Sequence, residues 1–344
     1  MKTRAATLCE IQKPLQIEEL TIPALKPGQV LVKISYSGIC HSQLNEILGL
    51  KGEDRFLPHT LGHEGSGIVE SVGPDVKKVK SDDHVVLTWI KGTGADVPST
   101  SYTKKDGSKV NSGAISTFMS KAVISENRLV KIPDQMPLKE AALLGCAVLT
   151  GAGIVKNTIN LNSSDKVAVF GVGGIGLSAV LACGTIGADV IAIDIKDDKL
   201  ELARKIGAAH LINANKEDPL NAINVITRGK GVDIAIESAG LKETMETAFK
   251  CTRRNGGLCI LAGNLPNGEN ISIDPFELIA GKKIIGSWGG ESMPDRDIPA
   301  YVNQYLNGKL RLESLITHIY NLEEINTAFS DLRMGKVGRA LVAF

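Results

Sequence analysis

The sequence predicts an α/β fold in which a doubly wound parallel sheet is inserted into a β-rich lobe. Three observations support this prediction. A strand–turn–helix–strand unit with a glycine-rich turn lies at 166–194, and strands and helices alternate from there to about residue 288. The segments before and after this region consist mainly of short β-type runs separated by turns. We therefore expect one domain at 149–288 and a lobe made of 1–148 completed by 289–344.

The N-terminal lobe has the pattern of short strands followed by loops. Predicted strands lie at 4–8, 15–20 and 29–36. The stretch 87–116 is rich in Gly, Ser, Thr and Lys and is predicted to be a long irregular loop. The small, apolar segment 139–155 is predicted to be helical, with Cys146 inside the helix.

The turn at 171–176 has the sequence Gly-Val-Gly-Gly-Ile-Gly and follows an apolar strand. In this pattern Gly171 permits a tight turn, Gly173 lets a pyrophosphate approach the backbone, and Gly176 lets the helix pack closely on the strand. The helix that follows this turn presents free N–H groups and the positive end of its dipole to the phosphates, and we expect Gly174 and Ile175 of the turn to contact the cofactor as well. The pattern predicts a Rossmann-type dinucleotide site.

The strand after this helix ends in Asp194. A carboxylate at that position can accept the hydroxyls of an adenosine ribose and would repel a 2′-phosphate, so the predicted cofactor is NAD. The alternation then continues, which indicates a parallel sheet. Predicted helices lie at 197–206, 218–227, 241–253, 298–306 and 322–333, and predicted strands at 232–236, 258–261, 283–288 and 339–343.

Composition excludes several partner classes. A net charge of +1 with 22% charged residues gives no bulk attraction to nucleic acid or to an anionic membrane. No apolar run approaches the roughly 20 residues of a membrane span, and the first residues lack the apolar core of a signal peptide. The six cysteines are irregularly spaced and predict reduced thiols, so we expect a cytoplasmic protein.

Cys40, His63 and Cys146 lie far apart in the sequence, and residue type alone leaves them as buried small hydrophobes and a hydrogen-bonded turn residue. A resemblance changes this interpretation. The motifs GICHSQ, GHEGSGIVESVG, LGCAVLTG and GVGGIG occur in this order, and the chain closes with GKVGRALVAF. The whole chain resembles the zinc-dependent alcohol dehydrogenases of the medium-chain dehydrogenase/reductase superfamily, which implies that the β-rich lobe is GroES-like.

The resemblance implies that Cys40, His63 and Cys146 bind one catalytic zinc per subunit, with a fourth position open for water or substrate. It places Glu64 behind the metal and makes Ser42 the hydroxyl that takes the proton from the alcohol. It also implies NAD contacts from His41, Thr150, Lys199 and Arg339. For Trp89 and Phe118 it suggests the substrate pocket, with ordinary core packing as the open alternative.

Three positions depart from many relatives. Gln43 replaces an acid beside the metal ligands, and Asn45 replaces a histidine that ends the proton relay. The stretch 87–116 contains no cysteine, although many relatives bind a second, structural zinc there with four. We therefore expect one zinc per subunit.

Two other functions stay open at this stage. One is a zinc-free quinone or enoyl reductase of the same superfamily, and the other is a non-catalytic dinucleotide-binding redox sensor. The substrate class is also open among simple alcohols, polyols, aminocyclitols and sugar derivatives. The run 282–288 is basic and then apolar and would end the sheet, which suggests pairing between subunits in a homodimer or homotetramer.

Overall fold

The computed structural model describes residues 1–344. Its strands, in chain order, are β1 (Lys2–Leu8), β2 (Gln16–Thr21), β3 (Gln29–Gly38), β4 (His59–Thr60), β5 (Glu64–Val72), β6 (His84–Thr88), β7 (Ser99–Thr103), β8 (Lys109–Gly113), β9 (Lys121–Ser125), β10 (Leu129–Lys131), β11 (Lys166–Phe170), β12 (Asp189–Asp194), β13 (His210–Asn213), β14 (Ile234–Glu237), β15 (Leu258–Leu261), β16 (Lys283–Gly286), β17 (Ile316–Asn321) and β18 (Arg339–Ala343).

The helices, in the same order, are α1 (His41–Ile47), α2 (Leu138–Ala141), α3 (Ala147–Gly153), α4 (Gly174–Ile186), α5 (Asp197–Lys205), α6 (Pro219–Thr227), α7 (Lys242–Lys250), α8 (Pro275–Ile279), α9 (Pro294–Leu306) and α10 (Ile325–Arg333). A 3₁₀ turn, Ala142–Gly145, follows α2 directly.

The chain forms two compact units. The first comprises Met1–Cys146 and Met293–Phe344, and the second comprises Ala147–Ser292. The first unit contains a closed barrel of β1, β2, β7, β8 and β4, and a sheet ordered β10-β6-β5-β3-β18-β17 with β9 paired to β3. Val30, Leu31, Val32 and Ile34 of the central strand β3 are buried in a core that also contains Val69, Val85 and Leu87.

The C-terminal segment completes the first unit. Strand β18 lies antiparallel to β3, with Leu341 opposite Gly38, and parallel to β17. The backbone N–H of Ile39 donates to the carbonyl of Ala340 at 3.0 Å. Arg339 is therefore held beside the end of β3, and that end lies two residues before Cys40.

The second unit is built on six parallel strands in the order β13-β12-β11-β14-β15-β16. This is the doubly wound order in which the first strand lies at the centre and the chain reverses direction beside it. Residues 167–169 of β11 and 190–192 of β12 are fully buried, as expected for strands covered on both faces. Helix α4 ends at Gly187, which has a φ of +83° and provides a left-handed C-cap.

The predicted fold class is confirmed, but two local predictions are wrong. The stretch 87–116 is not an irregular loop throughout, because it contains the hairpin β7–β8, whose alternate residues Thr100, Tyr102, Val110 and Ser112 are buried. Strands with this much Ser, Thr and Asn lack the apolar run on which the prediction relied. Strands β6, β9, β10, β13 and β17 were also not predicted.

Cys146 does not lie inside a helix. It separates the 3₁₀ turn Ala142–Gly145 from α3, with φ −148° and ψ −67°, which are not helical values. No single helix is long and apolar enough to span a membrane. One bent pair, Leu138–Gly145 and Ala147–Thr158, passes that test only when its two helices are counted together.

Candidate active site

Three side chains from distant segments of the first unit meet at one point. The ligand atoms of Cys40, His63 and Cys146 all lie within 4.8 Å of one another. The Nε2 atom of His63 is buried and has no hydrogen-bond partner. Two thiols and one imidazole form a donor set that suits a catalytic zinc with one open position. The residues present therefore fit a zinc ion.

The positions of all three side chains are fixed by the secondary structure beside them. Cys40 follows β3 and is the N-cap of α1 in extended conformation, and His63 immediately precedes β5, which pairs with β3. Cys146 follows the 3₁₀ turn, which packs tightly on β5 and β6. A Cβ added to Gly145 would lie 2.2 Å from the Leu87 carbonyl oxygen and 2.8 Å from the Cβ of Glu64. Only glycine allows the backbone before Cys146 to come this close.

An ion pair lies behind this cluster. The carboxylate of Glu64 and the guanidinium of Arg339 are in contact, and both side chains are buried. Arg339 also donates through Nη1 to the carbonyl of Ile39 at 2.7 Å. A Cβ on Gly38 would meet both groups, at 2.4 Å from Glu64 Oε1 and 2.6 Å from Arg339 Nη2. Breaking a buried pair of this kind leaves an uncompensated charge, so each partner depends on the other.

The electrostatic environment favours a thiolate at Cys40. The hydrogen bond from Cys146 lowers the pKa of the Cys40 thiol well below its usual value, and nearby His63 and Arg339 lower it further, although burial acts in the opposite direction. The pKa of Arg339 is lowered by its burial, and Cys40 opposes that shift. Because the thiolate is the form that binds metal, this environment prepares Cys40 for coordination.

Gln43 connects two members of the cluster. Its Oε1 accepts the backbone N–H of Cys40 at 3.1 Å, and its Nε2 lies 2.5 Å from Nδ1 of His63. In this orientation the amide donates to Nδ1, which leaves the ring proton on Nε2. If His63 binds a metal ion through Nε2, its ring proton must be on Nδ1. A hydrogen-bond acceptor should then face Nδ1. One amide cannot present an oxygen to both the Cys40 N–H and the Nδ1–H.

The remaining residues predicted for this unit have varied surroundings. His41 and Ser42 form the first turn of α1, next to Cys40. Trp89 is half-buried, and its carbonyl accepts from Arg128. Phe118 is fully buried and packs edge-to-face on Phe329, with ring centroids 5.8 Å apart. The structure thus places Phe118 in the core, the alternative that the sequence had left open.

The glycine turn of the second unit matches the physical reasons given for each glycine. Gly171 has a φ of +81°, and a Cβ there would lie 2.8 Å from the backbone N of Ala239. A Cβ on Gly176 would lie 2.0 Å from the carbonyl oxygen of Gly171. A Cβ on Gly173 would meet nothing within 4 Å. Gly171 and Gly176 are therefore required by packing, whereas Gly173 faces open space of the kind a pyrophosphate would use.

Asp194 links the two halves of this site. One carboxylate oxygen accepts the N–H of Val172 in the glycine turn at 2.9 Å, and the other accepts those of Ile195 and Lys196 at 2.8 and 3.1 Å. A carboxylate offers about four lone-pair positions, so at least one is left for a ribose hydroxyl. Lys199 is half-buried on α5, and Thr150 is buried on α3. The arrangement fits a dinucleotide.

Glu237 is a residue of this region that was not predicted. It ends β14 opposite Phe170, and its Oε1 accepts from the N–H groups of Ala239 and Gly240 and from the hydroxyl of Thr244, at 2.7–2.9 Å. Its Oε2 is buried without a partner, and burial raises its pKa. The carboxylate shapes the turn that packs against Gly171. The only sequence signal was an acid at the end of an apolar strand.

Comparison with known proteins identifies the family of this chain. The family model described as "Alcohol dehydrogenase GroES-like domain" matches residues 26–134, and "Zinc-binding dehydrogenase" matches residues 174–306. An S-(hydroxymethyl)glutathione dehydrogenase from Synechocystis sp. is 35% identical over 370 residues, which cover 100% of both chains.

Solved structures give the same result. An alcohol dehydrogenase zinc-binding domain protein from Burkholderia ambifaria superposes with a TM-score of 0.91 at 33% identity. The benzyl alcohol dehydrogenase from Acinetobacter calcoaceticus superposes with a TM-score of 0.90 at 30% identity. Both comparisons cover 100% of this chain and 99% of the other. This chain belongs to the zinc-dependent alcohol dehydrogenase family of the medium-chain dehydrogenase/reductase superfamily and is an NAD-dependent oxidoreductase.

Proposed function

We propose that Cys40, His63 and Cys146 bind the catalytic zinc and that the substrate alcohol is oxidised beside them. The observation that carries this proposal is the convergence of three ligand atoms within 4.8 Å, one of them a buried imidazole nitrogen without a hydrogen-bond partner. Zinc bound there supplies a Lewis acid that lowers the pKa of a bound hydroxyl. A zinc-free reductase would have no use for this set of ligands.

Two side chains of the first unit have proposed catalytic roles. Ser42 lies two residues after Cys40 in the first turn of α1, and we assign its hydroxyl to accept the proton of the alcohol. Glu64 follows His63 and is held by Arg339, so we assign it to balance charge behind the metal. Asn45 replaces the histidine of relatives, and an amide is a poor proton acceptor. The proton would therefore leave through water.

We assign NAD binding to the turn formed by Gly171, Gly173, Gly174, Ile175 and Gly176, and to Asp194. Open space at Gly173 and the free lone pair of Asp194 support this assignment. His41, Thr150 and Lys199 are proposed as further contacts. Arg339 is proposed for the pyrophosphate, although its guanidinium contacts Glu64 and Ile39 in this structure. Trp89 is proposed for the substrate pocket.

The substrate is best sought with a panel of alcohols scored by NADH formation. The panel should contain simple alcohols, polyols, aminocyclitols and sugar derivatives. It should also contain benzyl alcohol and S-(hydroxymethyl)glutathione, because those names belong to similar proteins. We expect zinc-dependent NADH formation with at least one of them. Full activity in protein that contains no zinc would favour a reductase, and NADH binding without turnover of any alcohol would favour a redox sensor.

We propose that the chain is at least a homodimer. Strand β16 ends the six-stranded sheet and pairs only with β15 in this chain, and Ile285 on it is partly exposed. Ile279 and Trp288 nearby are 78% and 75% exposed. An apolar sheet edge promotes association unless it is covered. The mass of the protein in solution at micromolar concentration tests this proposal, and a strict monomer would contradict it.

We also propose a cytoplasmic location. All six cysteines are free, and two of them belong to the metal cluster. Thiol ligands need a compartment that keeps them reduced. Fractionation of cells that produce the protein would test the location.

A further inference from the structure

A second cluster of metal-ligating side chains lies in the first unit, apart from the cysteines. It consists of Glu46 near the end of α1, Asp54 in the following loop, and His59 on β4, with ligand atoms within 4.8 Å of one another. The Nε2 atom of His59 lies 2.8 Å from Asp54 Oδ2 and 3.7 Å from Glu46 Oε1. The side chains are 10%, 12% and 28% exposed for His59, Asp54 and Glu46. The cluster is largely shielded from water.

Each carboxylate has one oxygen anchored elsewhere. Asp54 Oδ1 accepts the backbone N–H of Phe56 at 2.9 Å, and Glu46 Oε2 pairs with Lys51 at 2.8 Å. The remaining oxygens, Oδ2 and Oε1, are therefore the ones directed at His59. Lys51 is 46% exposed and lies on the outer oxygen, so it does not occupy the point where the three ligand atoms meet.

The other ring nitrogen of His59 decides which atom faces the carboxylates. Nδ1 lies 3.1 Å from the backbone carbonyl of Thr60, which can only accept a hydrogen bond. Nδ1 therefore carries a proton, and in a neutral imidazole Nε2 is a lone pair. That lone pair faces two carboxylate oxygens, which are also acceptors. The three atoms repel one another unless a positive species lies among them, either a proton on Nε2 hydrogen-bonded to Asp54 Oδ2 at 2.8 Å or a metal ion.

We propose that this species is a divalent metal ion of the zinc class, bound by Glu46, Asp54 and His59. A proton on Nε2 could satisfy only one carboxylate, since it points along one direction and Glu46 Oε1 is 3.7 Å away, beyond hydrogen-bond length. A metal ion satisfies all three atoms together. The Nδ1–H donated to a backbone carbonyl is also the arrangement found behind metal-ligating histidines.

The ligand chemistry separates this site from the cysteine cluster. An imidazole with two carboxylates is a harder donor set than two thiolates with an imidazole, and it binds zinc-class ions less tightly. Protein purified without added metal should then contain about one zinc per chain, with the second site filled on addition of metal. The two sites share α1, which begins after Cys40 and contains Glu46 near its end.

Cobalt titration of the zinc-loaded enzyme tests the proposal, because Co²⁺ reports its ligands by absorption. We expect one Co²⁺ per chain to bind with d–d bands in the visible region and without the ultraviolet band of a cobalt–thiolate bond. His59→Gln, and separately Asp54→Asn, should abolish this binding while the original zinc is retained. The matched control is His210→Gln, since His210 lies 3.3 Å from the single carboxylate Asp189 and is 41% exposed.

Three results would overturn the proposal. They are the absence of cobalt binding to the zinc-loaded enzyme, binding that persists in both His59→Gln and Asp54→Asn, and binding that is lost equally in the His210→Gln control. If His59→Gln fails to fold, Asp54→Asn alone decides, because it keeps the imidazole. The His59 proton resonances give a second readout. If added Zn²⁺ does not change the pH titration of these resonances, a proton on His59 balances the two carboxylates without a metal ion. That result would also overturn the proposal.

Discussion

The cysteine cluster of the first unit and the glycine turn of the second unit are built in opposite ways. Cys40, His63 and Cys146 come from three separate segments and converge only through the folding of the whole lobe. The turn at 171–176 and Asp194 come from one continuous stretch, whose backbone N–H groups and carboxylate satisfy one another. The cysteine cluster brings together lone pairs that can bind a cation, whereas the glycine turn provides open space and backbone N–H groups that can bind an anion.

This difference implies that the two sites can be lost separately. A metal site assembled from distant segments fails when any one ligand is removed, because no neighbouring atom replaces it. A site made of backbone fails only when the backbone itself is displaced. Each site should therefore be removable without loss of the other.

Removal of one ligand should have the largest effect. Cys146→Ala should remove zinc and lower kcat/KM for alcohol oxidation by about 10³-fold, the factor that corresponds to about 4 kcal/mol of lost transition-state stabilisation. NADH binding should be unchanged, because the glycine turn uses no atom of the cluster. Metal analysis and NADH fluorescence titration measure the two effects. Cys183→Ala, at a buried cysteine of α4 outside the cluster, is the control and should keep its zinc.

The reciprocal change affects the glycine turn. Gly176→Ala should lower the free energy of unfolding by about 2 kcal/mol and weaken NADH binding about 30-fold, because its Cβ would lie 2.0 Å from the Gly171 carbonyl oxygen. Zinc content should stay unchanged. Gly173→Ala is the matched variant. Its Cβ meets nothing, so it should weaken NADH binding and leave stability unaltered. Equal losses of stability in both variants would contradict this account.

The groups around Glu126 show that side chains and backbone from distant segments can meet without requiring a metal ion. Buried Glu126 accepts the N–H groups of Lys77 and Lys78 through Oε1 and that of Ala95 through Oε2, at 2.6–2.7 Å. It thus holds Ala95 of the cysteine-free stretch 87–116, where the resemblance implies that many relatives bind structural zinc. Here a carboxylate meets three donors, and no cation is needed.

Glu126→Gln should therefore destabilise the protein without any change in zinc content. Its amide would turn an NH₂ group toward a backbone donor, which costs about 2 kcal/mol. Thermal unfolding measures the loss, and Glu10→Gln at an exposed site is the control. A loss of zinc in Glu126→Gln would mean that this stretch also holds metal.

The pH dependence of that loss has a definite sign. Burial tends to raise the pKa of Glu126, but the three N–H donors outweigh it and hold the pKa below its usual value of 4.5. The native state thus binds fewer protons than the unfolded state, so the stabilisation is present above about pH 4.5 and is lost as the pH falls through the lower native pKa. The difference between wild type and Glu126→Gln should shrink over that acid range.

The same contrast explains what could be predicted from the sequence. The parallel strands of the second unit are apolar runs because both of their faces are buried. The glycine residues of the turn lie within one short stretch. The sequence alone therefore predicts both features. The hairpin β7–β8 was missed because Ser, Thr and Asn occupy many of its positions, including the buried Thr100 and Ser112. Cys40, His63 and Cys146 could be grouped only by resemblance, since sequence distance contains no information on their approach. Glu46, Asp54 and His59 had no motif at all.

The smallest expected effect concerns Gln43, which must serve two groups with one amide. Its Oε1 is used by the Cys40 N–H, so Nε2 faces His63 Nδ1. Gln43→Glu would present one oxygen to the Cys40 N–H and the other to an Nδ1–H, which favours the proton position that coordination through Nε2 requires. A carboxylate there also adds a negative charge beside the cation. We expect zinc affinity to rise about tenfold, within the range known for partners of metal ligands. Competition with a chelator measures the affinity, and Gln135→Glu at an exposed position controls for the added charge. Unchanged affinity in Gln43→Glu would show that the native amide already meets the demands of both groups.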